Sequence, residues 1–75
     1  EGVYLLDGRM PISELNDVIG LNLPIDDYRT IGGLLLTRLR RVPKEGEYII
    51  DSGYRFTVAK ATEKAVLEVR AEPEA

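Results

Sequence analysis

Seventy-five residues, 44% hydrophobic and 31% charged with a formal net charge of −3, describe one small globular domain rather than a disordered tail. With no cysteine and no histidine, the chain has no disulfide, thiolate zinc site or thiol nucleophile, and it lacks the commonest general base. The acidic balance argues against nucleic acid, and no apolar run exceeds four residues, Val3 to Leu6, against the roughly 18 of a membrane-spanning helix.

The chain opens Glu1-Gly2, with neither an initiator Met nor a signal peptide, and is expected to be a soluble fragment of something longer. Val3 to Leu6 is β-prone and ends at Asp7-Gly8, a tight-turn signal. Arg9 to Ile12 is a short extended segment or loop, with Pro11 placed where its missing N–H is not needed. Ser13 is expected to cap a short helix over Glu14 to Ile19, with Leu15, Val18 and Ile19 on one face and Gly20 left-handed at its end. Leu21 to Tyr28 is a loop whose Leu21, Leu23 and Ile25 are expected to plug the core.

The best helix follows, over about Thr30 to Arg41, with Thr30 as N-cap and Pro43 ending the run. At 100° per residue, Ile31, Val42, Leu35, Leu39, Gly32 and Leu36 share a broad apolar arc, with Thr37, Gly33, Arg40 and Arg41 opposite. After a turn at Lys44 to Gly46 the period changes to two. Tyr48 to Asp51 and Tyr54 to Ala61 form a hairpin about Ser52-Gly53. A further turn at Thr62 to Lys64 leads to a last strand over Ala65 to Ala71, with Val66 opposed to Leu67 and Val69. Residues 72–75 read as a frayed tail. The three hairpin-linked strands must be antiparallel. The order β-α-α-β-β-β implies an α+β fold of two layers, two helices on one face of a small, mostly antiparallel sheet. The neighbour of the first strand does not follow from the pattern.

Little in the chain points to chemistry. Asp26 and Asp27, with Asn22 near, are the candidate metal ligands; oxygen donors suit magnesium or calcium, but the twelve-residue calcium-loop spacing is absent. Both acids also suit the positive end of the helix that follows. Arg38, Arg40, Arg41 and Lys44 are the candidate phosphate or nucleotide ligands, although helix geometry sends Arg38 and Arg40 about 200° apart and a helix C-terminus itself attracts cations. Gly32-Gly33 lacks the spacing and lysine of a phosphate loop, and two glycines inside a helix point instead to close approach of another backbone, the sheet or the first helix. Ser13 and Ser52 have no base to activate them, so no catalytic residue is assigned.

Four stretches resemble the CorC/HlyC transporter-associated domain: Asp7-Gly-Arg-Met-Pro-Ile-Ser-Glu-Leu-Asn16, Leu23-Pro-Ile-Asp-Asp-Tyr28, Thr30-Ile-Gly-Gly-Leu-Leu-Leu36 and Arg41-Val-Pro-Lys-Glu-Gly-Glu47. Tyr54-Arg-Phe-Thr-Val58 fits the same pattern, so the resemblance runs from about Tyr4 to Arg70. It implies a single C-terminal module of haemolysin-like or magnesium/cobalt efflux proteins, which carry a membrane region and a pair of CBS domains. The implied role is non-catalytic: modulation of ion transport at the cytoplasmic face of the cell membrane, through contact with the CBS pair and membrane region of its own parent or as a homodimer. The fold is grouped with FAD-binding, transporter-associated domains, and that analogy alone suggests FAD. The alternatives are a domain binding FAD or an adenine nucleotide through the arginine cluster, and a divalent-metal sensor built on Asp26 and Asp27.

Overall fold

The computed structural model describes residues 2–25 and 28–74. In chain order these form β1 (Tyr4–Asp7), α1 (Ile12–Ile19), α2 (Ile31–Leu39), β2 (Tyr48–Asp51), β3 (Tyr54–Ala61) and β4 (Val66–Pro73). The four strands make one antiparallel sheet in the order β1-β4-β3-β2, with the two helices packed on one face, the expected two-layer α+β arrangement. The meander β2-β3-β4 follows from its short turns. At Ser52-Gly53 both residues take positive φ, 55° and 79°, which matches the twist of a two-residue hairpin. The first strand, whose neighbour the sequence left open, closes the sheet beside β4 with Leu6 opposite Val69.

Between the layers lie Leu6, Ile49, Phe56, Val58, Val66, Val69 and Ala71 from the sheet and Ile12, Leu15, Ile31, Leu34 and Leu35 from the helices, all buried. Leu23 joins them as expected and Leu21 packs at their margin, but Ile25 is exposed. No buried polar or charged residue occurs among the described residues. The interior therefore draws its stability from apolar burial and packing, not from an internal polar network.

Several boundaries differ from the sequence expectation, each for a tertiary reason. Helix α1 begins at Ile12, capped by the extended Pro11 rather than by Ser13, because the chain bridges to the start of α2: the Ile12 N–H donates to the Arg29 carbonyl at 2.8 Å, and Pro11 pairs with Thr30. Val18, expected on the apolar face, is exposed, while Ile12 takes the place inside. Gly20 ends α1 with φ 83°, as expected. Helix α2 stops at Leu39, two residues early, where Arg40 turns left-handed at φ 63° and its N–H closes on the Leu36 carbonyl. Pro43 lies beyond the helix and is buried. Strand β4 continues to Pro73, so Glu72 and Pro73 extend the sheet instead of fraying: Pro73 pairs with Tyr54, and Glu74 donates its N–H to the Gly53 carbonyl.

The spacing in β4 also departs from strict alternation. A pair of register shifts around Lys60 and Glu68 turns Val66 and Val69 to the same buried side and leaves Leu67 outside, where simple alternation opposes Val66 to Val69. A bulge adds the residue that resets the face.

The rotation of α2 is set at its first turn. The Gly8 carbonyl accepts from the Gly32 N–H at 2.8 Å, and the Met10 carbonyl accepts from Ile31 at 3.0 Å. A Cβ on Gly32 would lie 2.7 Å from the Gly8 oxygen, so the glycine serves close backbone approach, here to the β1–α1 loop. That contact turns the helix so that Leu34, outside the expected arc, is fully buried, while Leu36 is half-buried.

The loop after α1 is pinned by one side chain. Asn16 Nδ2 donates to the Leu23 carbonyl at 3.0 Å, and Asn16 Oδ1 accepts from the Leu23 N–H at 2.9 Å. Asn16→Ala leaves both part-buried Leu23 groups without this partner and is expected to cost about 1–3 kcal/mol. Urea denaturation measures this, and a loss below about 0.5 kcal/mol would show that water replaces the amide fully.

Candidate functional site

The cationic group singled out in the sequence is dispersed by the fold. Arg38, in the last turn of α2, pairs with Asp51 at the end of β2. Arg41 reaches Glu47 through two N–H groups, one at 2.8 Å, and the same carboxylate accepts from the Lys44 backbone N–H at 2.7 Å. Arg40 is the left-handed cap of the helix and is exposed. The four residues therefore do not converge on one anion; two of the guanidiniums already hold carboxylates, with which a phosphate would have to compete. Asp26 and Asp27 lie outside the described residues. Among the described residues no three acidic side chains come together as a metal would require.

These pairings shift the acids they involve. Hydrogen bonding from Arg41, then from the Lys44 N–H, holds the Glu47 carboxyl at about 2, well below the ordinary glutamate range. Burial raises the Asp51 carboxyl, but Arg38 and the Ser52 hydroxyl outweigh it and the net direction is down. For a group whose folded pKa is depressed, the stabilisation is present above the unfolded value and fades as pH falls through the folded one. The stability difference between the wild-type domain and Glu47→Gln should therefore be constant near neutrality and shrink between pH about 4.5 and about 2. A difference independent of pH over that window would remove the Arg41 pairing from the account.

The N-terminus of α2 is closed as well. Helix starts attract anions through free N–H groups. Here Ile31 donates to Met10, Gly32 to Gly8 and Gly33 to the Thr30 hydroxyl at 3.0 Å, the cap expected from the sequence. Gly32-Gly33 consequently presents no phosphate cradle.

Concavities lie elsewhere and are shallow. One of about 560 Å³ sits at the β1–β4 end of the sheet, lined by Leu5, Asp7, Arg9, Lys60, Leu67 and Glu68. Another of about 740 Å³ joins Val42, Pro43 and Lys44 to Ala61, Thr62 and Glu63. Of the four candidate cationic residues, Lys44 alone lines either of these two.

The feature that no sequence motif marks is the second face of the sheet. It carries Leu5, Tyr48, Ile50 and Leu67, each 47–65% exposed. Between the apolar flanks run Arg55, Thr57, Arg70 and Glu72, with Arg70 paired to Glu72 at 3.1 Å and Arg55 to Glu74 at 3.0 Å. The Arg55 guanidinium also lies over the Tyr48 ring, 5.1 Å from its centre. A signal was present: Tyr48-Ile-Ile50 is apolar at every position, where a strand with one wet face normally alternates.

Compared with known proteins, the whole chain, residues 1–75, matches the family model for the CorC/HlyC transporter-associated domain. The chain belongs to this family. The transporter-associated domain is 38% identical over 73 residues to hemolysin C of Brachyspira hyodysenteriae, covering 96% of the chain and 27% of that protein. It is 34% identical over 58 residues to the magnesium and cobalt efflux protein CorC of Salmonella typhimurium, covering 77% of the chain and 20% of the relative. The domain thus spans about a quarter or less of these relatives' length. Among solved structures, the transporter-associated domain of a Xylella fastidiosa hemolysin in complex with Mg²⁺ and Mn²⁺ superposes with a TM-score of 0.90 at 27% identity, over 99% of this chain and 90% of that one. Among the described residues, no helix of this domain is long and apolar enough to cross a membrane.

Proposed function

We propose that this domain is a non-catalytic regulatory or assembly module of a haemolysin-like or magnesium/cobalt efflux membrane transporter, held at the cytoplasmic face and modulating ion transport through protein contact. The observation that carries the reading is the sheet's uncovered face, with Leu5, Tyr48, Ile50 and Leu67 exposed, set against candidate cations of which Arg38 and Arg41 hold carboxylates of the domain itself. Exposed apolar groups on either side of a strip of paired charges suit a protein surface, whereas a catalytic or cofactor site needs convergent polar groups in a cleft. The chain also lacks the histidine and cysteine on which most acid–base and nucleophilic chemistry relies. The names of its relatives supply the class of parent, and the CBS pair and membrane region of that parent are the partners we assign.

Deleting the domain from its parent transporter should change ion flux without abolishing membrane insertion. Unchanged flux and unchanged regulation by the ion would dismiss the role. A second reading, a divalent-metal sensor on Asp26 and Asp27, is favoured by the Mg²⁺ and Mn²⁺ complex of the Xylella fastidiosa relative. An amide-resolved NMR titration with magnesium, cobalt, ATP, AMP and FAD separates the readings. Saturable shifts around Asp26 and Asp27 support the sensor, and shifts around Arg38 to Lys44 support nucleotide or flavin binding. Silence at millimolar ligand leaves protein contact.

A further inference from the structure

The β2 edge of the sheet leaves main-chain groups open along its outer side. Hydrogen-bonded and non-bonded positions alternate along an antiparallel pair. Val58 donates its N–H to the Glu47 carbonyl at 2.8 Å, and Asp51 faces Tyr54 across the two-residue turn. By that alternation Ile49 and Asp51 bond inward to β3, while the N–H and C=O groups of Tyr48 and Ile50 point away from the sheet. β2 is the terminal strand, and among the described residues no other backbone group bonds to those of Tyr48 or Ile50.

Edge strands are usually blunted by proline, lysine or a bulge. Tyr48-Ile49-Ile50 has none of these, and its outer two side chains are each 50% exposed. The opposite edge is closed at one of its four outward main-chain groups. Gly8 donates to the Leu67 carbonyl at 2.8 Å, which makes Leu5 and Asp7 the outward positions of β1, and the Asp7 carbonyl is already taken by the Met10 N–H at 2.9 Å.

We infer that two copies of the domain associate through antiparallel β2–β2 pairing, with the two-fold axis at Ile49, joining two four-stranded sheets into one of eight strands. The register is self-complementary. With the axis at Ile49, Tyr48 of one copy faces Ile50 of the other, so all four outward main-chain groups on each side find partners. The same pairing sets an aromatic side chain against a β-branched one twice on the open face, a favourable cross-strand combination.

The charges also close. Glu47 of one copy meets Asp51 of the other on the helix side, but Arg41 and Arg38 come with them, so the junction is neutral and can exchange its ion pairs across the axis. A strand of strong net charge of either sign gains nothing from such an edge, whereas a second copy fits it in hydrogen bonding, side-chain pairing and charge. A contact of five residues a side falls below the usual stable interface, so the dimer is weak in free solution and gains from tethering in a common parent assembly. This inference rests on the assembly role proposed above and adds a second copy of the domain to its partners.

The solved Xylella fastidiosa chain is little larger than this domain, and the apolar core described here is complete within it, so the isolated domain is the proper sample. Sedimentation velocity up to about 1 mM should show the wild type passing from monomer to dimer as concentration rises. Val3→Lys, exposed just before β1, should behave as wild type. Ile50→Pro removes one outward N–H while sparing the inward ladder, and should stay monomeric with an unchanged far-UV spectrum.

Amide exchange provides a readout independent of any variant: the Tyr48 and Ile50 amides should exchange at least about tenfold more slowly at high than at low protein concentration, while the Leu5 amide does not change. A wild type monomeric at about 1 mM, an Ile50→Pro variant that dimerises equally, or concentration-independent exchange at Tyr48 and Ile50 would each overturn the pairing. None of those outcomes touches the flux measurement, on which the regulatory role stands or falls separately.

Discussion

Replacing Gly8 with alanine should destabilise the domain by roughly 3–5 kcal/mol or prevent folding, the largest effect expected of any single methyl added to this chain. An ideal Cβ at Gly8 would lie 2.1 Å from the Val66 carbonyl oxygen and 2.9 Å from its carbon, both main-chain atoms that cannot rotate away. Gly8 is also the middle of a three-backbone stack. It donates to Leu67 in β4 and accepts from Gly32 in α2, both at 2.8 Å. Forcing it outward separates the sheet from the helix and breaks both bonds at once. Against the ~5–15 kcal/mol available to a small domain, that loss is a large share of the total.

Two neighbouring substitutions calibrate the prediction. A Cβ at Gly32 would lie 2.7 Å from the Gly8 oxygen, again a backbone atom, so Gly32→Ala should also be severe. At Gly33 the closest approach is 3.2 Å, to the Thr30 hydroxyl, and the gain of up to about 1 kcal/mol in helix propensity offsets the crowding. Gly33→Ala should fall within about 1 kcal/mol of wild type. Urea midpoints for the three variants decide the matter. Equal stabilisation by alanine at Gly32 and Gly33 would mean that helix propensity, not backbone approach, governs the first turn of α2.

Leu34→Ala should cost about 2–5 kcal/mol, more than Leu36→Ala, although a helical wheel drawn from the sequence places Leu36 in the apolar arc and leaves Leu34 out. Leu34 is 0% exposed and sits among the fully buried side chains with Phe56, Leu35 and Val69. Truncation there removes apolar contact and leaves a cavity that close-packed neighbours fill only in part. Leu36 is half-buried, and its loss is cushioned by solvent. Chemical denaturation with unchanged m-values would establish the order, and a larger loss at Leu36 would show that the helix sits in its wheel-predicted rotation.

These two predictions turn on what the sequence could not express. Local patterns were enough for the elements themselves: Thr30 caps α2, Gly20 ends α1, Ser52-Gly53 makes the hairpin, and Tyr54, Phe56 and Val58 alternate onto the core, because each depends on residues within a few positions of itself. The two-layer α+β class followed from the same patterns, as strands joined by two- or three-residue turns have no parallel option. Family membership was legible too, carried by several ordered stretches rather than by any single motif.

What remained closed was set by contacts between segments far apart in the chain. The start of α1 depends on Arg29, and the rotation of α2 on Gly8. The face of Leu67 depends on a register shift against β3, and the end of β4 on Tyr54 and Gly53. The candidate site behaved likewise. Arg38 and Arg41 look like a cluster along the chain, but their carboxylate partners, Asp51 and Glu47, come from the turn and strand that follow α2. Sequence alone determined the type and order of the elements, the layering and the family, since propensity and period act locally. Tertiary structure alone decided rotation, register and the pairing of charges, since those are chosen by which backbones can approach one another and by which groups would otherwise be left unpaired.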